Sequence, residues 1–171
     1  DPYAEPPKPA KPDPKKPEPP KAGPASEPVD PYGPAIPSRV GLADIGVVQG
    51  LLAVQQLDGW LLYDRDGSNP IAVRLVAPDG HPQRAWFYMI PARGEPVALV
   101  HTSEARNFDH LKGKKLVYLG YRDLNKQLAQ LLKGVKSIAV EYSPKAAVPN
   151  ESRVDAGTFE MLKAAGVNMR S

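Results

Sequence analysis

The chain from residue 42 onward alternates between apolar runs and polar turns. The most apolar short run begins at Gly59 and breaks abruptly into the turn sequence Asp-Gly-Ser-Asn-Pro at 66–70. These turn residues favour a reversal of the chain through positive φ, side-chain capping or a fixed φ. A run this short and this apolar predicts a strand that is buried on both faces.

Helical spacing flanks this strand on both sides. Before it, apolar residues recur at intervals of three and four, which predicts an amphipathic helix over about 42–56. The apolar face of that helix would carry Leu42, Ile45, Val48, Leu51 and Leu52, with Leu57 at its end. After the turn, Pro70 suits the first position of a short helix over about 70–76, and Asn69 or Ser68 is placed to cap it.

Two further apolar runs, 84–91 and 96–101, are separated by four residues that include a glycine. Glycine fits a left-handed turn position, so the two runs predict an antiparallel hairpin. Residues 102–110 then have the composition of one or two helical turns, with Thr102 or Ser103 as the N-cap.

Strand and helix patterns alternate through the last third of the chain. Strands are predicted at 115–119 and 137–142, and Asp123 is placed to cap the helix between them. One face of that helix carries Leu124, Leu128, Leu131 and Leu132. Residues 152–155 resemble a capping box with aspartate in place of glutamate, which predicts a helix through about residue 165.

A last strand begins near residue 167. The predicted order is therefore helix, strand, helix, hairpin, helix, strand, helix, strand, helix and strand. A hairpin followed by strand–helix repeats indicates an α/β fold with a mixed sheet flanked by helices. Because the last strand has only begun at Ser171, we expect the natural polypeptide to continue.

Proline divides the chain into two regions, since 14 of its 21 prolines lie at or before Pro37. Residues 1–37 repeat proline with lysine, alanine and glutamate and contain almost nothing that a core could bury. Such a segment cannot offset its ordering entropy, so we expect a disordered, polyproline-like linker before one α/β domain at 38–171. A ligand for a proline-recognition module is the alternative role for this linker.

Charge and cysteine content exclude several classes of function. The net charge of +3 is too small for a nucleic-acid-binding face, which needs concentrated Lys and Arg. The absence of cysteine excludes disulfides, zinc–thiolate sites and thiol catalysis. No apolar run approaches the roughly 20 residues that cross a bilayer, so no transmembrane segment is predicted.

The sequence contains no self-contained catalytic constellation. His101, Glu104 and His110 are close together, but their spacing matches no compact zinc signature. Asp64 and Asp66 are candidates for a paired carboxylate, although acids in a turn after a strand are more often capping residues or solvated. Neither a phosphate-binding glycine loop nor a Gly-x-Ser-x-Gly elbow is present.

Four motifs follow one another along the domain. They are LDGWLLYD at 57–64, GSNPIA at 67–72, AWFYMIP at 85–91, and VEYSP at 140–144 leading to SRVDAGT at 152–158. In this order they resemble the N-terminal domain of the creatinase, prolidase and Xaa-Pro aminopeptidase family. The resemblance extends from about residue 42 to the end of the sequence.

This resemblance implies a ribonuclease-H-like α/β domain that is itself non-catalytic. In the family, a second, pita-bread domain binds two divalent metals, usually manganese, cobalt or zinc, through two Asp, one His and two Glu. That domain would follow Ser171, so the resemblance assigns no catalytic or metal-binding residue to this chain. The parent protein would be a metallopeptidase that cleaves before proline, or, as in creatinase, a hydrolase of a non-peptide C–N bond. The present domain would cap the catalytic cleft and contribute to a homodimer.

The Pro-rich linker departs from the family pattern. It favours an exported protein that is periplasmic or extracellular, with a lipid anchor as one form of attachment. A cytoplasmic protein is the alternative. A free-standing α/β binding module presented on the linker is the alternative to a peptidase domain. Arg65 and Asn69 in the turn, and His101 at the end of the hairpin, are the residues predicted to face the cleft. The plainer interpretation is that all three are ordinary turn residues.

Overall fold

The computed structural model describes residues 44–171, so the predicted linker at 1–37 lies outside the described residues. Among these residues, four α-helices and six strands alternate in the predicted order. Their bounds are α1 Ile45–Val54, β1 Gly59–Asp64, α2 Pro70–Val76, β2 Trp86–Pro91, β3 Val97–His101, β4 Lys114–Tyr118, α3 Tyr121–Leu131, β5 Ser137–Ala139, α4 Ala156–Ala164 and β6 Asn168–Arg170. Short 3₁₀ helices lie in the connections at Thr102–Phe108, Pro144–Ala146 and Pro149–Glu151.

The six strands form one sheet in the order β4-β3-β2-β1-β5-β6. β2 runs antiparallel to its neighbours β1 and β3. The pairs β3–β4, β1–β5 and β5–β6 are parallel, so every strand of this sheet except β2 points the same way. The predicted mixed sheet with an antiparallel hairpin and flanking helices is confirmed.

β1 lies inside the sheet and is buried on both faces, as its apolar sequence predicts. Leu61 and Leu62 are both completely buried although neighbouring strand residues point to opposite faces. Leu61 packs in a core covered by α3 and α4, and Leu62 packs in a second core covered by α1 and α2. The sheet therefore separates two apolar layers, and β1 contributes to both.

α1 differs from the prediction in the face that it buries. Leu52 is its buried residue, whereas Leu51, which the spacing places on the same face, is 62% exposed. Val47 and Val54 are exposed as well. Because this helix is apolar on nearly every side, the spacing of its apolar residues could not identify the buried face.

The N-caps of two helices show where the sequence prediction is correct and where it is displaced. Asn69 caps α2 as predicted, since its Oδ1 accepts a hydrogen bond from the N–H of Ala72 at 3.2 Å. The predicted capping box at 152–155 is wrong, because Asp155 is itself the N-cap of α4. Its carboxylate accepts from the N–H of Thr158 at 2.9 Å.

Two other local predictions are also wrong. Asp123 is not the N-cap of α3, because the helix begins after Gly120 and Asp123 lies in its first turn. The carboxylate of Asp123 accepts instead from the N–H of Leu119 at 3.0 Å. β5 ends at Ala139, short of the predicted 137–142, and its shortness limits the ladder that it makes with β1.

Candidate functional site

The carboxyl ends of the five strands that point the same way lie along one edge of the sheet. Ligands of open α/β sheets bind outside the carboxyl ends of parallel strands, so this carboxyl edge is the candidate site. β1 ends there at Asp64 and β3 ends there at His101, while Glu141 follows shortly after β5. Arg65 and Asn69 lie in the turn that follows β1. The topology therefore brings the three predicted site residues, Arg65, Asn69 and His101, to the same edge.

The carboxylate of Asp64 holds the turn that follows β1. It accepts hydrogen bonds from the N–H of Gly67 at 3.1 Å, from the N–H of Asn69 at 2.8 Å and from the hydroxyl of Ser68 at 3.4 Å. Gly67 has a φ of +74°, a left-handed conformation that a side chain would disfavour. The turn is therefore fixed by a buried acid at one end and by a glycine in its middle.

Asn69 contacts three other segments of the domain through its side-chain amide. Its Nδ2 donates to the carbonyl of Tyr63 at 2.7 Å and to Oε2 of Glu141 at 2.9 Å, while its Oδ1 caps α2. The side chain is completely buried. Asn69 therefore lies in the interior of the domain rather than on an open surface, and the role that the structure gives it is to hold the carboxyl edge together.

Glu141 is a partly buried carboxylate that receives two fixed N–H donors. The indole Nε1–H of Trp60 donates to its Oε1, and Asn69 donates to its Oε2. Burial raises the pKa of Glu141, and these two hydrogen bonds oppose that effect. Trp60 and Glu141 also line a pocket of about 310 Å³ at this edge. The carboxylate is thus oriented by the domain itself.

A third carboxylate of the edge, Asp155, is hydrogen-bonded to β1. It accepts from the hydroxyl of Tyr63 at 2.6 Å and from the hydroxyl of Thr158 at 2.7 Å. Partial burial by itself raises the pKa of Asp155, but these hydrogen bonds outweigh it and hold the pKa below its ordinary value. Burial, reinforced by the bond to Asp155, raises the pKa of Tyr63 to about 12. Tyr63 therefore remains a hydrogen-bond donor at neutral pH.

A groove of about 630 Å³ lies between α3 and α4 beside the carboxyl edge. Tyr63 and Phe87 line it together with the polar residues Arg65 and Asp155. A concave, mostly apolar surface with a few polar groups is typical of ligand sites. Of the three predicted site residues, Arg65 is the one that the structure places on a concave open surface. Whether it faces a catalytic cleft stays a prediction.

His101 closes β3 and caps the 3₁₀ helix that follows. Its Nδ1 accepts from the N–H of Ser103 at 3.2 Å, so the predicted cap residues Thr102 and Ser103 are wrong. With Nδ1 as acceptor, Nε2 carries the proton and donates to the carbonyl of Leu119 at 3.1 Å. The imidazole is half-buried and links β3 to the end of β4, which is a structural arrangement.

The histidines and acids singled out as metal-ligand candidates are not brought together. Glu104 accepts from the backbone N–H groups of residues 83–84 at 3.0 and 3.1 Å. His110 instead has its Nε2 at 2.9 Å from the carbonyl oxygen of Val76. Within residues 44–171, no group of three or more His, Cys, Asp or Glu is arranged to hold a metal ion.

The acids near the turn also have separate roles. Asp64 caps the turn, while the exposed Asp66 lies 3.1 Å from the ring of His81. Asp58 accepts from the backbone N–H groups of residues 136–137 at 2.7 and 2.9 Å. Those two hydrogen bonds lower the pKa of Asp58. The structure thus does not form a paired carboxylate from these residues.

The sequence did not place four residues that organise the carboxyl edge, namely Trp60, Tyr63, Glu141 and Asp155, at the candidate site; Asp155 was predicted only as part of a capping box. All four lie within the motifs at 57–64, 140–144 and 152–158. An acid within two residues of a short apolar strand, as Glu141 is after β5, was the available signal for this residue. No local signal identified its partners, because they come from distant parts of the chain.

A scan against protein-family models gives no match, and a search of curated protein sequences gives none either. Solved structures do match. A proline dipeptidase from Streptococcus pneumoniae is 17% identical, with a TM-score of 0.59 over 75% of this chain and 90% of that chain. The creatinase/prolidase N-terminal domain of an X-Pro dipeptidase from Streptococcus pyogenes is 15% identical, with a TM-score of 0.58 over 75% of this chain and 92% of that domain.

A larger protein contains the same fold as one part of its length. The X-Pro aminopeptidase from Thermotoga maritima is 14% identical, with a TM-score of 0.54, and the match covers 74% of this chain but 32% of that one. At identities this low, structural similarity establishes the fold. The chain therefore has the fold of the creatinase/prolidase N-terminal domain of Xaa-Pro dipeptidases, the fold that its four motifs predict.

Proposed function

We propose that this chain is the non-catalytic N-terminal domain of a metal-dependent peptidase of the Xaa-Pro aminopeptidase or prolidase type. In that protein it caps the catalytic cleft and takes part in a homodimer. The fold is the observation that carries the proposal, because the matching structures are dipeptidases and their N-terminal domains. The Thermotoga aminopeptidase supports it further, since the same fold makes up about a third of that chain.

The chemistry of the carboxyl edge supports a structural role rather than a catalytic one. Asp64, Glu141 and Asp155 each accept hydrogen bonds from donors of the domain itself. The described residues contain no cluster of metal-ligand side chains. The two divalent metals of such a peptidase, manganese, cobalt or zinc, would therefore be bound by residues of a further domain.

The test compares this chain with the intact protein that its gene encodes. With added manganese, the intact protein should hydrolyse Xaa-Pro dipeptides, whereas residues 1–171 alone should not. Turnover by residues 1–171 that survives purification would overturn the non-catalytic role. The gene downstream of Ser171 separates the alternatives, since an open frame with Asp, Asp, His, Glu and Glu in order supports a peptidase. A stop codon there supports a free-standing binding module.

Arg65 is the residue through which we expect the domain to contact substrate. It is exposed, follows the carboxyl end of β1 and lines the groove between α3 and α4. Arg65→Ala in the intact enzyme should raise KM with little change in kcat or in the unfolding midpoint, because an exposed side chain adds little to the core. Arg93→Ala, an exposed arginine in the hairpin turn at the opposite edge, is the matched control. Equal kinetics for both variants would remove Arg65 from the proposal.

We also propose that the protein is exported and that residues 1–37 link the domain to the cell envelope or to a neighbouring protein. The support is the Pro-rich sequence of that segment. In the part of the chain that the structure describes, none of the helices has the length and apolar character that a bilayer span requires. Fractionation of cells that express the intact gene tests the proposal, and recovery in the cytoplasm alone would contradict it.

A further inference from the structure

The groove between α3 and α4 has small residues on both sides. Ala129 of α3 lines it, and Gly157, Ala164 and Ala165 line it from α4 and its C-terminal end. Because none of these side chains extends beyond Cβ, the two helices leave about 630 Å³ unfilled. Small-molecule sites in proteins have volumes of roughly 300–1,000 Å³. The groove is therefore large enough for a small organic ligand.

The groove offers an apolar surface for part of such a ligand. Tyr63, Phe87, Leu124, Leu128 and Met161 all line it. The rings of Tyr63 and Phe87 are adjacent, with centroids 5.0 Å apart. A ligand ring would be removed from water against these residues, and contacts between aromatic rings contribute beyond burial alone. The apolar lining therefore favours a ligand that carries an aromatic ring.

Two charged side chains of the groove have unused hydrogen-bonding capacity. Arg65 and Glu160 both line the groove and are exposed. In the part of the chain that the structure describes, neither side chain has a hydrogen-bond or ion-pair partner. Asp155 differs, because its carboxylate already accepts from the hydroxyl of Tyr63 and from the hydroxyl and N–H of Thr158. One guanidinium and one carboxylate are therefore left to bind a ligand.

We propose that this groove binds a free α-amino acid with an aromatic side chain. The carboxylate of the amino acid pairs with Arg65, its ammonium group pairs with Glu160, and its ring lies against Tyr63 and Phe87. The two unpaired charges are opposite in sign, so they complement a zwitterion better than an anion or a cation. Arginine suits the carboxylate because its planar guanidinium donates two parallel hydrogen bonds. The inference goes beyond the proposed function and does not depend on it, since this domain supplies every residue of the site.

Isothermal titration calorimetry of the 171-residue chain with four probes tests the class of ligand. L-Phenylalanine has both charges and the ring, whereas 3-phenylpropionate lacks the ammonium group, 2-phenylethylamine lacks the carboxylate and L-alanine lacks the ring. We expect phenylalanine to bind and each of the others to bind about tenfold more weakly, because each loses a charge-assisted hydrogen bond or the apolar contact. No binding of phenylalanine would overturn the inference. So would a second probe that binds as tightly as phenylalanine.

Three variants locate the site on the molecule. Arg65→Gln and Glu160→Gln each remove one charge at an exposed position, and each should weaken phenylalanine binding about tenfold. Ala129→Phe fills the groove and should abolish binding while both charges remain. Arg93→Gln and Ala53→Phe, at exposed positions outside the groove, are the matched controls and should bind like the unaltered chain. Unfolding midpoints confirm that each variant is folded.

Combining variants with probes tests which charge of the ligand each residue binds. In Arg65→Gln, phenylalanine should lose its advantage over 2-phenylethylamine, and in Glu160→Gln it should lose its advantage over 3-phenylpropionate. Unchanged advantages would contradict the assigned pairs, and full binding by Ala129→Phe would place the ligand outside the groove. The proposed function fails by a different observation, namely an intact protein that does not hydrolyse Xaa-Pro dipeptides.

Discussion

Replacing Asn69 with alanine tests whether the carboxyl edge is held together from inside the domain. The buried amide bonds the carbonyl of Tyr63, the carboxylate of Glu141 and the N–H of Ala72. Loss of the helix cap costs about 1 kcal/mol. Each buried acceptor left without its donor costs roughly 1–3 kcal/mol. With the lower end of that range for both acceptors, we expect a loss of about 3 kcal/mol, a large fraction of the roughly 5–15 kcal/mol that stabilises a typical domain.

Urea unfolding, followed by tryptophan fluorescence and circular dichroism, measures this loss. With a slope of about 2 kcal/mol per molar urea, the midpoint of the Asn69→Ala chain should fall by about 1.5 M. Asn125→Ala is the matched control, because the Asn125 side chain donates to the carbonyl of Tyr121 at the surface of α3. We expect that control to change the free energy of unfolding by no more than about 0.5 kcal/mol.

A second variant at the same position separates the effect of losing the Nδ2–H donor from the effect of losing the helix cap. Asn69→Asp retains an oxygen to cap α2 but directs a carboxylate at Glu141, whose pKa burial already raises. The like charges raise the pKa of both groups in the folded state, so that state binds more protons than the unfolded one. The variant should therefore gain stability as the pH falls from neutral toward 5. A loss below about 1 kcal/mol for Asn69→Ala, or no pH dependence for Asn69→Asp, would refute the role of this amide.

Two further predictions concern Asp155 and a glycine. The pKa of Asp155 is held low, so its contribution is present above the unfolded pKa of about 4 and is lost as the pH falls through the folded value. Asp155→Asn keeps an oxygen to cap α4 but loses the oxygen that accepts from the Tyr63 hydroxyl, so it should be about 1 kcal/mol less stable at neutral pH, and thermal unfolding should show this difference closing in acid. Gly113→Ala places a Cβ 2.0 Å from the carbonyl oxygen of Pro96 at a φ of +94°, and should lose about 3 kcal/mol in urea unfolding. Gly134→Ala is the control, because Gly134 has a φ of +83° but open space around it, and it should lose about 1 kcal/mol of stability. Equal losses for the two variants would contradict the predicted clash with Pro96.

The sequence predicted the order of elements because each strand and helix carries its own local pattern. β1 is apolar on both faces and ends in turn residues, and the structure buries it on both faces as predicted. The same turn gave Asn69 or Ser68 as the cap of α2, because a side-chain oxygen just before Pro70 can satisfy a backbone N–H and the proline fixes φ, and the structure uses Asn69. Local chemistry was sufficient wherever the partners were a few residues apart.

The contacts that organise the carboxyl edge could not be predicted in this way. The Trp60 indole and Glu141 are 81 residues apart in sequence, and the Tyr63 hydroxyl and Asp155 are 92 residues apart. No sequence periodicity relates the two members of such a pair. Trp60 and Glu141 meet because β5 pairs in parallel with β1, and Tyr63 and Asp155 meet because α4 packs against the sheet. The sequence therefore included Asn69 among the candidate caps of α2. It did not indicate that the Nδ2 group of the same side chain donates to the carboxylate of Glu141, which belongs to another motif.

Burial of individual helix faces was predicted with mixed success. α3 alternates apolar and charged residues, and Leu124 and Leu128 are buried as its spacing indicates. α1 has glycine, valine and leucine on nearly every side, so its spacing places Leu51 on the core face although the structure exposes it. A pattern identifies a buried face when polar residues define the opposite one.

The position of β1 has a consequence for how the domain assembles. Its neighbour β2 follows after one short helix, whereas its other neighbour β5 comes much later in the chain. Closing the longer loop costs more entropy, so the antiparallel half of the sheet should form first. Until β5 docks, one side of the most apolar strand is an open edge. During synthesis, the chain is therefore most prone to aggregate in the interval before residues 137–139 leave the ribosome.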